Sequence, residues 1–172
     1  MKKILILIAL LTLGLTNAQD HQIIIENYFN TNRAQIGLSQ EDVNDFKVSS
    51  STYSKSMRID NVYVSQRISG IEVFNSTSVF GIKNGVVVSS KMGFIPNTAQ
   101  KINTTTPVIT AQNAIVKAAT AIGISTPTTL EILETKGDTS FIFNTGGISL
   151  NNIPVSLVSV SYTHLTLPTN RC

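Results

Sequence analysis

Apolar and β-branched residues alternate with polar ones through the middle of the chain. Val62, Val64 and Ile68 fall on one face of a predicted strand, and the dipeptides Ser69-Gly70 and Asn84-Gly85 supply two tight turns. Asn-Gly is a strong hairpin signal because both central residues of a type I′ turn need positive φ. The pattern therefore predicts a meander of three antiparallel strands, over Val62–Ile68, Ile71–Ile82 and Val86–Ser90.

A helical pattern precedes the strands. Ile24 with Tyr28, and Ile25 with Phe29, are four residues apart and share one helix face. Because a small antiparallel sheet needs one covered face, we expect this helix to lie against the meander.

Between the helix and the meander the pattern is weaker. Ser39 lies three residues before Asp42, which is the spacing of a helix-capping box. Phe46–Ser56 is Ser-rich and is compatible with either a strand or a loop.

A second module follows a polar segment. Pro96–Pro107 is rich in Thr and Asn and reads as a linker. Thr110 then caps a helix that ends at Gly123 and carries one apolar stripe, formed by Ala111, Ala114, Ile115, Ala118, Ala119 and Ile122. Strands are predicted over 129–134, 140–144 and 153–160, with turns at Lys136-Gly137-Asp138 and Gly146-Gly147. The fold class predicted for the whole chain is α+β.

The N-terminus has the order of a bacterial secretory signal peptide. A basic start at Lys2 and Lys3 is followed by an apolar run over Ile4–Leu15 and by small residues before Ala18. We predict a signal peptide over 1–18, with cleavage between Ala18 and Gln19, in preference to a buried N-terminal helix. No later stretch is apolar enough to span a membrane, so a secreted, extracellular protein is expected.

Signal cleavage changes the charge argument. Losing Lys2 and Lys3 lowers the net charge from +3 to +1, which gives no support for binding to nucleic acid or anionic membranes. The single cysteine, Cys172, is the last residue, so no disulfide within the chain is possible.

Residues that carry chemistry are sparse. The two histidines, His21 and His164, are far apart and are expected to be exposed near the chain ends. The acidic group Glu41, Asp42 and Asp45 suits a helix start, and Glu131 and Glu134 suit opposite faces of a strand. We therefore expect no catalytic, metal-binding or cofactor-binding residue in this chain, and no enzyme activity of its own.

The order of these elements resembles the fungalysin/thermolysin propeptide (FTP) domain. Its segments here are VYVSQRISGIEVFN, from Val62, and VFGIKNGVV, from Val79. The positions that carry the resemblance are Gln66, Gly70, Ile71 and Val73, together with Asn84 and Gly85 in the second turn. Asn61 departs from the family, where a histidine often stands. Val108–Gly123 and the strand segments beginning at Ile148 and Ile153 are similar to the PepSY-like second half of such propeptides.

The resemblance implies a domain layout: an FTP-like domain over 19–97, a linker over 98–107, and an incomplete PepSY-like module over 108–160. It implies that the chain belongs to the precursor of a secreted zinc metalloprotease, in which the prosegment inhibits the catalytic domain and assists its folding. Zinc is then expected only in that catalytic domain, which is absent from this fragment and is the expected partner.

Two alternatives compete with this function. The chain could be a free-standing secreted PepSY-type module that inhibits or binds a protease. It could also be an adhesive β-module, but the repeats that this would predict are absent from the sequence.

The closing stretch, SYTHLTLPTNRC, is unlike any continuation of the family. We expect residues 161–172 to be non-native, the alternative being a genuine terminus. Because a sheet that has lost a strand keeps an unpaired edge, the end of the second module is expected to be less ordered than residues 58–95.

Overall fold

The computed structural model describes residues 21–102 and 104–161 of the 172-residue chain. The predicted signal peptide with its Ala18–Gln19 cleavage site lies outside the described residues, as does the predicted non-native tail beyond residue 161. The chain divides into two compact units, with boundaries between residues 102 and 103 and between residues 159 and 160; the described residues after 159 belong to the first unit. Helices and antiparallel sheets occur in the described part of the chain, which confirms the α+β class.

The first unit is a helix-covered meander. It contains helix α1 over 21–32, helix α2 (Gln40–Asn44), and strands β1 (Phe46–Ser54), β2 (Ile59–Ile68), β3 (Ile71–Lys83) and β4 (Val86–Lys91). The strands follow the order β1-β2-β3-β4, and each neighbouring pair is antiparallel.

The meander has four strands, so the prediction of three was short by one. The Ser-rich segment after Phe46 forms β1, which pairs with β2 from Phe46 opposite Gln66 to Ser54 opposite Ile59. The backbone ladder with β2 decides the conformation of this segment, since its polar side chains carry little strand preference of their own.

Both predicted turns are present. Ser69 and Gly70 have φ of 50° and 80°, and Asn84 and Gly85 have φ of 50° and 75°. Positive φ at both central residues is what a type I′ turn requires, and Asn84-Gly85 joins Lys83 directly to its partner Val86.

The core of the first unit lies between α1 and the sheet. Ile25 and Phe29 of α1 are buried against Val62, Val64 and Phe80, so the helix is the predicted cover of the meander. The Phe29 ring centroid lies 5.5 Å from those of Phe46 and Phe80 and 5.2 Å from that of Phe94. Aromatic packing around one ring thus ties the helix, the sheet and the segment after β4 together.

The second unit has a short helix and a small sheet. It contains α3 (Ala111–Ala121), β5 (Ile132–Thr135), β6 (Ser140–Phe143), β7 (Ile153–Ser156) and β8 (Val158–Ser159). The order β5-β6-β7 is antiparallel throughout. Thr110 accepts a hydrogen bond from the Asn113 amide at 3.2 Å, and Gly123 has φ of 74°, as expected for the cap and the end of this helix.

Three sequence predictions need correction. The strand predicted over 153–160 is interrupted at Leu157, whose N–H donates to the Thr139 carbonyl at 2.8 Å. Of the predicted apolar stripe of α3, only Ile115 and Ala119 are buried, and Ile122 is 74% exposed. The predicted linker begins with a 3-10 helix, Thr98–Gln100, in which Thr98 is buried, so the first unit extends past residue 97.

Candidate interaction surfaces

Gln66 lies at the centre of a buried polar cluster in the first unit. Its side chain is fully buried, and its carbonyl oxygen accepts a hydrogen bond from the Ile95 amide at 2.8 Å. Its amide nitrogen lies 3.0–3.1 Å from the carbonyl oxygens of Asp42 and Ile95 and from Thr98 Oγ1. One side chain therefore joins β2 to α2 and to the segment that leaves the sheet after β4.

Asp42 holds the same exit segment from the other side. Its carboxylate accepts hydrogen bonds from the amides of Asn97 and Thr98, each at 2.9 Å. It also accepts from the Ser39 amide and hydroxyl, at 2.9 and 2.7 Å, which completes the predicted capping box of α2. Burial acts to raise the pKa of Asp42, but the hydrogen bonds from Thr98, Asn97 and Ser39 outweigh it and lower the pKa below 3.8.

The Ser69-Gly70 turn is fixed by a charged pair. The Gly70 amide donates to Asp45 Oδ2 at 2.7 Å, and the Arg67 guanidinium donates to the Gly70 carbonyl at 2.7 and 3.1 Å. Arg67 Nε lies 3.7 Å from Asp45 Oδ1. Since both backbone polar groups of Gly70 have a side-chain partner, the register of β2 with β3 is held at this end.

The remaining motif positions lie in strands and turns. Ile71 and Val73 are buried in β3, while Asn84 and Gly85 form the exposed turn before β4. The six motif positions do not form one cluster of reactive groups. Their contacts hold the shape of the first unit, and Gln66 makes the longest-range connections among them.

Sequence reasoning did not identify Thr98 or the second role of Asp42. The capping-box spacing pointed to Asp42 only as part of a helix start, and Thr98 was placed in a linker. The residues that meet here are separated by 24 to 56 positions along the chain, and no local pattern records such contacts.

Among its described residues, the second unit exposes more large apolar side chains than it buries. Three of its described apolar residues are buried, namely Ile115, Ala119 and Phe143. The large apolar residues that it exposes are Val108, Ile109, Ile122, Ile124, Ile132, Leu133, Leu150 and Val158. Strand β5 shows the contrast most clearly, because its adjacent residues Ile132 and Leu133 are 48% and 54% exposed, and the register of β5 with β6 shifts between Ile132 and Glu134.

A groove of about 300 Å³ lies within the second unit, between the start of α3 and the sheet. Ala111 and Ala114 form its helix side, and Phe141, Val155 and Leu157 form its opposite side. The small alanine side chains leave this space unfilled. Asp138 at the rim is its one charged lining residue.

His21 lies beside Asp60 and is mostly buried. His21 was expected to be exposed, but its side chain is only 12% exposed and its Nε2 lies 3.8 Å from Asp60 Oδ2. The reason is that the described start of α1 packs beside the start of β2. Glu134 is exposed and pairs with Lys136 at 3.6 Å. Within residues 21–102 and 104–161, no three His, Cys, Asp or Glu side chains meet in a way that could hold a metal ion.

No protein-family model, curated protein or solved structure matches this chain. None of the helices in the described ranges is both long and apolar enough to cross a lipid bilayer.

Proposed function

We propose that this chain is the propeptide region of a secreted zinc metalloprotease, in which it binds the catalytic domain, inhibits it and assists its folding. The observation that carries the proposal is the exposure of large apolar side chains in the second unit, among them the adjacent residues Ile132 and Leu133 of β5. The family of the partner comes from the resemblance of the Gln66–Val73 and Asn84–Gly85 segments to FTP domains, with a PepSY-like module following.

The free energy of burial favours a partner for this surface. Covering one large aliphatic side chain contributes roughly 1.5–3 kcal/mol. Leu150 is 99% exposed and Leu133 is 54% exposed, and both belong to a unit with very few buried apolar residues. Contiguous exposed apolar surface is typical of a site that docks on another protein, and the adjacent residues Ile132 and Leu133 of β5 are the proposed part of such a site.

The first unit suits the same function because it is ordered by its own contacts. The hydrogen bonds of Gln66 and Asp42 fix the exit segment to α2 and β2. A surface that is already ordered loses little conformational entropy on binding, so more of the contact energy appears as affinity. Inhibition by such a module requires only that it occupies the protease, and no reactive group is needed.

Inhibition of a protease by the purified chain tests the proposal. The chain is mixed with a fungalysin-type protease, and the inhibition constant and the yield of refolded protease are measured. We expect inhibition and a higher refolding yield. The double variant Ile132→Asp/Leu133→Asp should inhibit at least about ten-fold more weakly, because it places charge in the apolar contact.

The matched control is Met57→Asp, which changes an equally exposed apolar residue in the first unit. It should leave inhibition unchanged. Absence of any effect of the wild-type chain on the protease encoded in the same gene, or in its neighbourhood, would refute the propeptide function.

A free-standing binding module is the second candidate. It is favoured by the first unit alone, whose apolar core is closed by α1 and whose buried polar cluster is satisfied by its own residues. Gene sequence beyond position 160 distinguishes the two: a segment with H-E-x-x-H supports the precursor, and a native stop codon supports the free-standing module.

A further inference from the structure

Strand β4 leaves an unpaired edge in the first unit. Among the described residues β4 pairs only with β3, and it contains no proline. Val86 and Val88 are 62% and 57% exposed, and an exposed apolar strand edge is a template for pairing with another chain. Val87 pairs with Ile82 and Ser89 pairs with Gly81, so Val88 is a bulged residue without a partner on β3. Its backbone groups therefore lie outside the β3–β4 ladder.

A groove of about 410 Å³ runs beside this edge, between β4 and α1. Ile24, Tyr28 and Val87 give it an apolar floor, and Asn27 and Asn32 add amide groups at its helix side. Asn32 is held in place because its Nδ2 donates to the Tyr28 carbonyl at 2.9 Å. An unpaired edge with an adjacent groove is the arrangement that binds an extended peptide, since the edge offers backbone hydrogen bonds and the groove takes alternate side chains.

The charges beside β4 select the occupant. Lys91 ends β4, and Lys83 ends β3 opposite Val86, the first residue of β4; both lysines are exposed, and no acidic residue lines the groove. Antiparallel pairing of β4 with β4 of a second copy would bring Lys91 of each copy towards the Lys83–Val86 end of the other. The repulsion of these like charges disfavours self-pairing, whereas a strand with carboxylates at both ends matches them.

We propose that the β4 edge and its groove bind an extended segment of a partner protein that carries acidic residues at both ends and β-branched residues between them. The other sheet edge, β1, lacks this combination, because it presents mainly Ser and Thr side chains. The inference rests on the proposed function only for the identity of the partner, which would be the protease domain. The binding chemistry follows from β4 itself.

A pair of synthetic peptides tests the edge directly. The purified, isotope-labelled chain is titrated with the blocked peptide EVTVTVE and with its charge-reversed partner KVTVTVK, and amide NMR shifts are followed. We expect EVTVTVE to shift the amides of Val86–Lys91 and of the α1 residues that line the groove, and to leave β1 unchanged. KVTVTVK should bind at least about five-fold more weakly.

Three variants locate the effect. Lys83→Glu/Lys91→Glu should reverse the preference between the two peptides, while Lys47→Glu/Lys55→Glu, the same charge change near the opposite edge, should not. Asn27→Trp fills the groove from an exposed position and should abolish the β4 shifts. Thermal unfolding of each variant establishes that it is folded.

Two results would overturn the inference. One is that neither peptide binds at β4, while the wild-type chain and the Lys83→Glu/Lys91→Glu variant inhibit the protease equally. That result would refute the β4 site and leave the proposed function standing. The other is a dimer that forms through β4 without peptide. Conversely, binding of EVTVTVE at β4 together with no effect on any protease would uphold the edge and refute the proposed function.

Discussion

At the scale of single residues, Gln66 separates what a sequence can reveal from what it cannot. Gln66 is two residues after Val64 and four after Val62, so the alternation of β2 places it on the same face as these buried valines. The resemblance to FTP domains also includes this position. Its partners Ile95 and Thr98 are 29 and 32 residues away, so their contacts depend on how the whole unit closes. The position was predictable, but its bonding was not.

Replacing Gln66 with Ala should destabilise the first unit by about 2–4 kcal/mol, because the Ile95 amide and the Asp42 carbonyl would lose a buried partner. Urea unfolding followed by near-ultraviolet circular dichroism measures this change. Gln35→Ala, in the exposed turn after α1, is the matched control and should change the free energy of unfolding by less than about 0.5 kcal/mol. Equal effects of the two changes would contradict the role assigned to the cluster.

Asp42 predicts a pH dependence of stability. Since its pKa is lowered in the folded chain, its ionised form adds stability that is fully present above its ordinary pKa of 3.8. That stability is lost as the pH falls through the folded-state pKa. Asp42→Asn should therefore cost about 1–3 kcal/mol at pH 7 and progressively less in acid.

Unfolding free energies of wild type and Asp42→Asn between pH 7 and pH 2.5 test this. Glu41→Gln, its exposed neighbour in α2, is the control and should show no such convergence. A difference between wild type and Asp42→Asn that stays constant over this range would refute the assignment.

At the scale of elements, local sequence signals were sufficient to predict helix caps and turns. They were not sufficient to predict the strand β1 or how much of the apolar face of α3 is buried. The Ser39–Asp42 capping box and the Asn84-Gly85 turn are formed as their spacing indicates. Strand β1 was undecided because its register comes from β2 and its own side chains are polar. The stripe of α3 was overestimated for a related reason. A helical pattern states which residues share a face, but the sheet below decides how many of them are covered.

The segment after β4 depends on one close backbone approach. A Cβ atom added to Gly93 would overlap the backbone carbonyl of Thr77, which cannot move without distorting β3. Gly93→Ala should therefore destabilise the first unit by about 2 kcal/mol or more. Gly37→Ala is the comparison: its φ is 75° but the space around it is open, so about 1 kcal/mol of backbone strain is expected. Urea unfolding of both variants gives the order of the two costs, and the reverse order would contradict this account.

At the scale of the whole molecule, the two units differ in how completely their residues are buried. The core of the first unit joins ten buried residues from α1, the turn before α2, α2, the sheet and the exit segment. In the second unit every residue of β5 is exposed. The sequence indicated two α+β modules and an unpaired sheet edge in the second, but it could not indicate which apolar residues are uncovered, because residues such as Leu133 and Ile122 look the same whether covered or exposed.

The exchange rates of backbone amides measure this difference in burial between the two units. Amides of β2 are hydrogen-bonded between two neighbouring strands and covered by α1, so they should open only with the first unit as a whole. Amides of β5 belong to a four-residue edge strand with no buried side chain and should exchange at least about 100-fold faster. Exchange followed by mass spectrometry on the full chain compares the peptides that cover the two strands.

When the protease is added, the proposed function requires slower exchange in β5, because the partner would cover Ile132 and Leu133. Slow exchange of β5 in the free chain would contradict the view that this surface lacks its partner.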